Sequence, residues 1–328
     1  MFKFIRKRLI YLVIVMAAIS LLSFFIIQLP PGDFLDSQIA NMEAGGNVIE
    51  QAVVDALREM YGMDKPFFYR YQKRITNIIL HGDFGRSLNW KLPVSDLIWE
   101  RIGLTMVISI LTLVFIWMFA IPIGIYSAVK QYSFFDYLFT FLSFVGLGIP
   151  GFLLALLTMW LTYKYLGWNV AGLFSAEYVL APWSWDRFID MLKHLLVPVV
   201  VLGLGGTAGL IRILRANLLD ELQKPYVVTS LAKGIKSRTV ILRHPFRVAM
   251  NPFVSTIGWT LPAIVSGSTI VGTVLNIPTV GPLLLDALMN QDMYLAGGII
   301  FILGLLTIIG TFISDILLVI LDPRIRMD

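Results

Sequence analysis

Six long apolar runs, at residues 9–29, 102–129, 137–163, 195–211, 248–285 and 293–314, constrain this chain more than any other feature. A helix needs about 20 apolar residues at 1.5 Å per residue to cross about 30 Å of hydrocarbon. The fourth run is slightly short, but Lys193 and Arg212 can snorkel from its ends. The fifth is too long for one helix. Its polar turn Asn276-Ile277-Pro278-Thr279 predicts that the helix stops near Leu275 and that an external segment follows. Of the 328 residues 57% are hydrophobic and 14% charged, against soluble norms of about 45–50% and about 25%. The charges gather between the runs. The expected fold is an all-α integral membrane protein with about six transmembrane helices.

Basic residues set the expected orientation. Lys3, Arg6, Lys7 and Arg8 precede the first run, and Lys224, Lys233, Lys236, Arg238, Arg243 and Arg247 lie between the fourth and fifth. Both termini are therefore expected in the cytoplasm. The first run exceeds the roughly 7–15 apolar residues of a secretory leader, and no small-x-small cleavage site follows, so it reads as an uncleaved signal anchor. The expected layout is a first helix within 1–29, an external folded loop at 30–101, a transmembrane domain at 102–322 and a cytoplasmic tail at 323–328. Within the external loop, Asn47 and Glu50 are spaced as a capping box. Ile49, Ala52, Val53, Ala56, Leu57 and Met60 then recur at helical spacing up to Gly62. A second helix is predicted from about Pro66 to Leu80, stopped by His81-Gly82. Trp168, Trp183 and Trp185 stand where interfacial aromatics are expected.

Several chemistries are excluded. There is no cysteine, hence no disulfide, thiolate metal site or cysteine nucleophile. Gly146-Leu147-Gly148-Ile149-Pro150-Gly151 matches a dinucleotide fingerprint, and the stretch from Gly203 to Ala208 matches its alanine variant. Both lie in apolar spans without a preceding strand, so close helix packing is the expected role. No phosphate-binding GxxxxGK[ST], HExxH or GxSxG occurs, and His81, His194 and His244 lie apart, without metal-ligand spacing. The chain is expected to bind no cofactor, metal or nucleic acid and to catalyse nothing itself.

The cytoplasmic segment 219–250 is the informative one. It reads as a short helix, a stop at Gly234, and a second helix carrying Arg238, Arg243, His244 and Arg247. An ordinary basic loop held by anionic lipid would account for the charges. It would not account for Tyr226, Val227, Val240, Ile241 and Leu242, apolar residues expected to face the cytosol, which a docked partner would cover.

At this segment the sequence resembles the membrane subunits of binding-protein-dependent ABC importers, and within them the dipeptide/oligopeptide permeases. Gly234, His244 ten residues on and Pro252 eighteen on have the family's loop spacing. Tyr226, Val227, Thr229, Ala232, Lys233, Arg243 and Arg247 match around them. Val228 replaces the acidic residue of the general motif, and Ser230 and Leu231 replace the usual alanine and arginine. Pro31-Gly32-Asp33, the stretch from Tyr61 to Pro66, Gly82-Asp83-Phe84-Gly85-Arg86-Ser87, Ile149-Pro150 and Asp322-Pro323-Arg324-Ile325-Arg326 extend the resemblance along nearly the whole chain. It implies the type I importer fold in a bacterial or archaeal inner membrane. The implied partners are a second permease subunit, two ATPase subunits that bind ATP and magnesium, and an external solute-binding protein. The implied cargo is oligopeptide, with oligosaccharide or another solute as the alternative.

In that fold, Ser266, Ser268, Thr269 and Thr273 would give the pathway a weakly polar lining. Gly205/Gly209 and Ala263/Gly267 have small-xxx-small spacing for close packing. A self-sufficient secondary transporter or channel is the competing class, and it requires ionisable groups at mid-membrane. Asp315 is the clear candidate. At 1.5 Å per residue it lies about 10 Å inside the last span, and it is expected to pair with Arg212 or Arg215.

Overall fold

The computed structural model of this chain describes residues 2–27 and 65–321. Among the described residues each of the six apolar runs carries at least one helix. These are α1 (Phe2–Ile27), α2 (Phe67–His81), α3 (Val94–Val129), α4 (Phe134–Gly148), α5 (Gly151–Leu166) and α6 (Trp185–Leu222). They are followed by α7 (Pro225–Ala232), α8 (Ser237–Arg243), α9 (Pro245–Ala249), α10 (Asn251–Val274), α11 (Val280–Met289) and α12 (Met293–Leu321). Among the described residues there is no strand. Asn47, Glu50, the helix expected after them and the tail lie outside the described residues.

Helices α3, α6 and α12 are long and apolar enough to cross a bilayer by themselves. The third run differs from expectation, because α4 and α5 meet at a bend of 103°. Pro150, with φ −58° and ψ 136°, leaves the helical region and starts α5, while Ile149 ends α4 in extended backbone. The glycine-rich match at Gly146–Gly151 is thus a helix break. The fifth run ends as expected, with Leu275 capping α10. The segment beyond it is no free loop. Asn276 turns at φ +53°, and Ile277, Thr279, Val280, Leu283 and Ala287 are buried. Helix α2 also ends as predicted, at Gly82 with φ +63°.

The chain forms two compact units. In the larger, Leu104–Gly281 with the chain from Leu306, α6 is the central element. Leu210, Leu214 and Leu218 of α6 pack with Ile116, Ala120, Phe253 and Ile241 in one core cluster. Leu195, Val197 and Val201 pack with Ile108, Ala155, Val271 and Leu275 in another. Lipid is as apolar as leucine, so inside a membrane such packing relies on close approach rather than on exclusion of water. Glycine supplies it where the backbones come nearest. A methyl group on Gly258 would stand 2.8 Å from the Thr311 Cα, one on Gly281 2.9 Å from the Thr269 Cα, and one on Gly206 2.7 Å from Ile116. Gly205, Gly209 and Gly267, the glycines expected to pack closely, have nothing within 4 Å of such a methyl. The close approaches on α6 and α10 thus fall on other glycines of the same helices.

The smaller unit joins α1, α2 and the chain up to Gly103 with Pro282–Leu305. Phe24 stacks obliquely on Phe67 and Tyr71 at 5.2 and 5.5 Å, and the Arg74 guanidinium lies 5.8 Å from the Phe24 ring.

Substituting Gly258→Val is expected to destabilise the purified protein by about 1–3 kcal/mol through overpacking against backbone. Gly205→Ala is expected to be neutral. Thermal unfolding in detergent distinguishes the two, and equal melting temperatures would contradict the packing described.

Candidate functional site

The segment after α6 is built from three short helices. Lys224 sits in extended backbone, and Pro225 opens α7 at a position where its missing N–H costs nothing. Thr229 and Ser230 donate their hydroxyls back to the carbonyls of Pro225 and Tyr226 at 2.8 and 2.7 Å. Ala232 is the last residue of α7 and Lys233 its cap. Gly234 follows at φ +78°, its N–H donating to the Leu231 carbonyl at 2.9 Å, while the Ile235 N–H reaches the Ser230 carbonyl at 3.4 Å. This left-handed two-bond stop favours glycine. A side chain at Gly234 would meet nothing within 4 Å, so only the backbone demands the glycine.

His244, with φ −127° and ψ −62°, separates α8 from α9, and its ring meets Tyr226 edge-on at 6.4 Å. The Tyr226 hydroxyl donates to the Glu221 carboxylate at 2.6 Å, which ties α7 back to the end of α6. Arg243 ends α8 with its side chain exposed. Arg247 on α9 donates to the Ile320 carbonyl at 3.3 Å, near the end of α12. Pro252 lies in the first turn of α10. The residues singled out by spacing thus occupy joints and caps of one folded segment.

The structure corrects which apolar residues are offered. Val227, Val240 and Ile241 are buried, and Ile241 belongs to the core around Leu214 and Leu218. Tyr226, Val228, Leu231, Ile235 and Leu242 are the exposed ones. The exposed set is therefore spread over α7, the Gly234 joint and α8, with a buried face anchoring it.

Charge pairing beside this segment also differs from expectation. Arg215 donates from Nε and from a terminal nitrogen to the two carboxylate oxygens of Asp136, each at 2.9 Å. Asp136 is 2% exposed and also accepts the Tyr132 N–H at 2.9 Å. Tyr132 adopts φ +62° and the Ser133 hydroxyl caps α4, so the turn itself delivers the carboxylate. Of the two arginines expected as partners for Asp315, Arg215 is thus paired with Asp136 of α4. Arg212 lies over the Phe144 ring at 5.5 Å, and Asp315 is buried on α12.

Of the expected pathway residues, Ser268 is buried and Thr269 half-buried beside Gly281. Thr273 is exposed, with its hydroxyl donated to the Thr269 carbonyl at 2.8 Å. The side chain of Ser266 is outside the described set. The open face of α10 carries Ala263, Gly267, Ile270 and Thr273. His194 is a buried residue, with its ring nitrogens 2.9 and 3.1 Å from the carbonyls of Asp190 and Asn169. Among the described residues no group of three or more histidines and carboxylates is placed to hold a metal ion.

An all-helical chain with spans of this length and a capped, partly apolar segment between two of them has the form of a membrane transport subunit. The family described as binding-protein-dependent transport system inner membrane component matches residues 120–327, and the N-terminal component of the same systems matches residues 1–110. The chain belongs to this family. It is 33% identical to the oligopeptide transport system permease protein AppB of Bacillus subtilis, over 98% of this chain and 99% of that one. A putative peptide permease protein of Brucella suis biovar 1 is 33% identical over the whole of both chains. The dipeptide transport system permease protein DppB of Escherichia coli K12 is 29% identical over 99% of each.

Removing the Asp136 carboxylate leaves Arg215 without its bidentate partner. Asp136→Ala is expected to cost about 3 kcal/mol, whereas Asp136→Ala combined with Arg215→Met should recover much of that loss. A thermal-unfolding double-mutant cycle on the detergent-purified protein measures it, and additive effects would show that the pair is not coupled.

Proposed function

We propose that this chain is one of two permease subunits forming the translocation pathway of an ABC importer for oligopeptides. Two separate ATPase subunits bind ATP and magnesium and drive it, and an external solute-binding protein delivers the cargo. The observation that carries this reading is the exposed apolar set Tyr226, Val228, Leu231, Ile235 and Leu242 on a segment whose other face is locked into the core. A basic loop held by lipid headgroups needs neither feature. A cleft in an ATPase subunit supplies cover for both the apolar face and the flanking Lys233, Lys236 and Arg238. Peptide cargo is supported by the names of the relatives that match nearly end to end.

In this reading, the basic residues around α7 and α8 and those before α1 lie in the cytoplasm with both termini. Helix α7 is the rigid lever. Its hydrogen bond from Tyr226 to Glu221 and its connection through Lys224 pass force directly to α6, the central helix of the larger unit. The open face of α10, with its small residues and Thr273, lines the route. That lining has little charge, so selectivity resides in the binding protein.

Gly234 offers the sharpest test, because a substitution there strains the backbone without meeting a neighbour. A β-branched residue at φ +78° costs about 1–2 kcal/mol, while asparagine tolerates that region. Gly234→Val is expected to lower peptide uptake by about 10-fold or more in the reconstituted transporter while ATP hydrolysis continues, and Gly234→Asn to stay near wild type. Full coupling in the valine variant would count against the lever. Sugar uptake without peptide uptake, with the cognate binding protein, would overturn the cargo.

A further inference from the structure

The connection between α5 and α6 is a strap fastened at three points. Gly172, at φ +84°, donates its N–H to the carbonyl of Leu275, the cap of α10, at 2.7 Å. Ser175 gives its N–H and its hydroxyl to the two carboxylate oxygens of Asp190 on α6, each at 2.7 Å. The third fastening is His194, one turn further along α6, whose Nε2 lies 3.1 Å from the Asn169 carbonyl. Its Nδ1 lies 2.9 Å from the Asp190 carbonyl and 3.7 Å from the carboxylate of the same residue. Beside these points Val170 is buried in one cluster with Leu195, Val271 and Leu275. The strap thus ties the opening turns of α6 to the end of α10.

A ring with an acceptor at each nitrogen fits its site in one charge state only. Neutral imidazole offers one N–H and one lone pair, whereas imidazolium offers two N–H groups. Only the cation satisfies both carbonyls. His194 is 6% exposed, so bulk water does not replace a lost bond. The carboxylate of Asp190 faces Nδ1, and Asp186 and Lys193 from α6 line the same cavity as the ring, with Glu177 and Tyr178 from the strap. The helices packed nearby add no charge: α10 has no ionisable residue, α3 has no charged one from Leu104 onward, and Lys164 of α5 lies over Trp160 and Tyr165. When the ring gives up one proton, the other stays on Nδ1, where carbonyl and carboxylate both draw it. Nε2 then turns a lone pair to the Asn169 carbonyl, and that fastening opens.

We propose that His194 is a proton-operated latch. Carrying two ring protons, it closes the strap onto α6. Carrying one, it frees Asn169 and loosens the hold on the end of α10. Asp190 is a positioning residue that sets which nitrogen keeps the last proton. The latch follows from the strap alone, whereas its effect on the pathway rests on the importer reading, in which α10 lines the route.

Histidine changes charge near neutral pH, so the test spans about pH 6 to about pH 8. It compares hydrogen exchange of residues 169–175, read by mass spectrometry, in the complete transporter and in its His194→Gln variant. The N–H groups of Ala171, Gly172 and Ser175 report the strap, because they donate to Asn169, Leu275 and Asp190. The intrinsic pH dependence of exchange is common to both proteins and cancels in their ratio. The variant is expected to exchange about 10-fold faster than wild type at the lower pH and within about twofold of it at the higher. The same ratio at both overturns the proposal. Where the variant does not assemble, magnetic resonance of isotope-labelled histidine in the wild-type transporter decides, with His81→Gln and His244→Gln assigning the other two rings. Both His194 nitrogens are expected to be protonated at the lower pH and Nδ1 alone at the higher, and a ring that keeps one charge state throughout overturns the latch. A latch that titrates while peptide uptake keeps the same pH profile in wild type and His194→Gln overturns its link to the pathway. A wild-type transporter that takes up no peptide refutes the importer reading instead, and the exchange measurement stands apart from it.

Discussion

No water reaches a bilayer interior, so each polar group there must be paired within the protein. Several hydroxyls among the described residues meet that constraint, whereas those of Ser109 and Thr112 on α3 are buried without a hydrogen-bond partner. Ser143, Thr158, Thr207 and Thr311 donate to carbonyls four residues back, and Ser314 of α12 donates across to the Val254 carbonyl of α10 at 2.7 Å. Where hydroxyls are satisfied by carbonyls of their own helix, specificity between helices is left to shape. That is why Gly258 lies against the backbone of Thr311 and Gly281 against that of Thr269, where side chains of any size would push the helices apart.

The helices were legible from the apolar runs because length and charge exclusion are one-dimensional properties. Their faces were not. Tyr226, Val227 and Val228 are consecutive, and a helix that turns about 100° per residue cannot present all three to the same side. Val227 turns inward and the other two remain open. The small-xxx-small pairs are limited for a related reason: the spacing establishes that Gly205 and Gly209 share a face, but nothing in it says what that face meets. Gly203 and Gly206, one or two positions away, are the ones pressed by Phe115 and Ile116. The bend at Ile149-Pro150 had a local signal, since proline disfavours helical backbone in the residue before it. A long apolar run masked that signal.

Partner choice among charges was the least legible feature. Depth in the membrane made Arg215 a candidate for Asp315, yet depth is a single coordinate. Burying a carboxylate demands that its oxygens be met in the right directions as well. Asp136 satisfies this because the turn before α4 is shaped for it: Tyr132, in the left-handed region, turns its N–H onto the carboxylate, and Arg215 closes both oxygens with a planar fork. The sequence contained the glycine and proline signals of its turns. It held no comparable signal for a tyrosine at positive φ.

That tyrosine belongs to a wider pattern. Among the described residues every positive φ lies in a connection between helices: Gly82, Gly85 and Lys91 before α3, Tyr132 before α4, Gly167 and Gly172 before α6, Gly234 before α8, Asn276 before α11 and Gln291 before α12. Apolar helices tolerate exchange of one aliphatic residue for another, since volume and apolarity are most of what their environment asks. A joint does not, because its backbone sign, its capping atoms and the side chain it aims are fixed together. Two of the motifs that carried the family resemblance, around Gly82 and around Gly234, are such joints. What distinguishes this chain from any other bundle of apolar helices therefore resides in the short polar turns, where water or a partner protein, rather than lipid, is the neighbour.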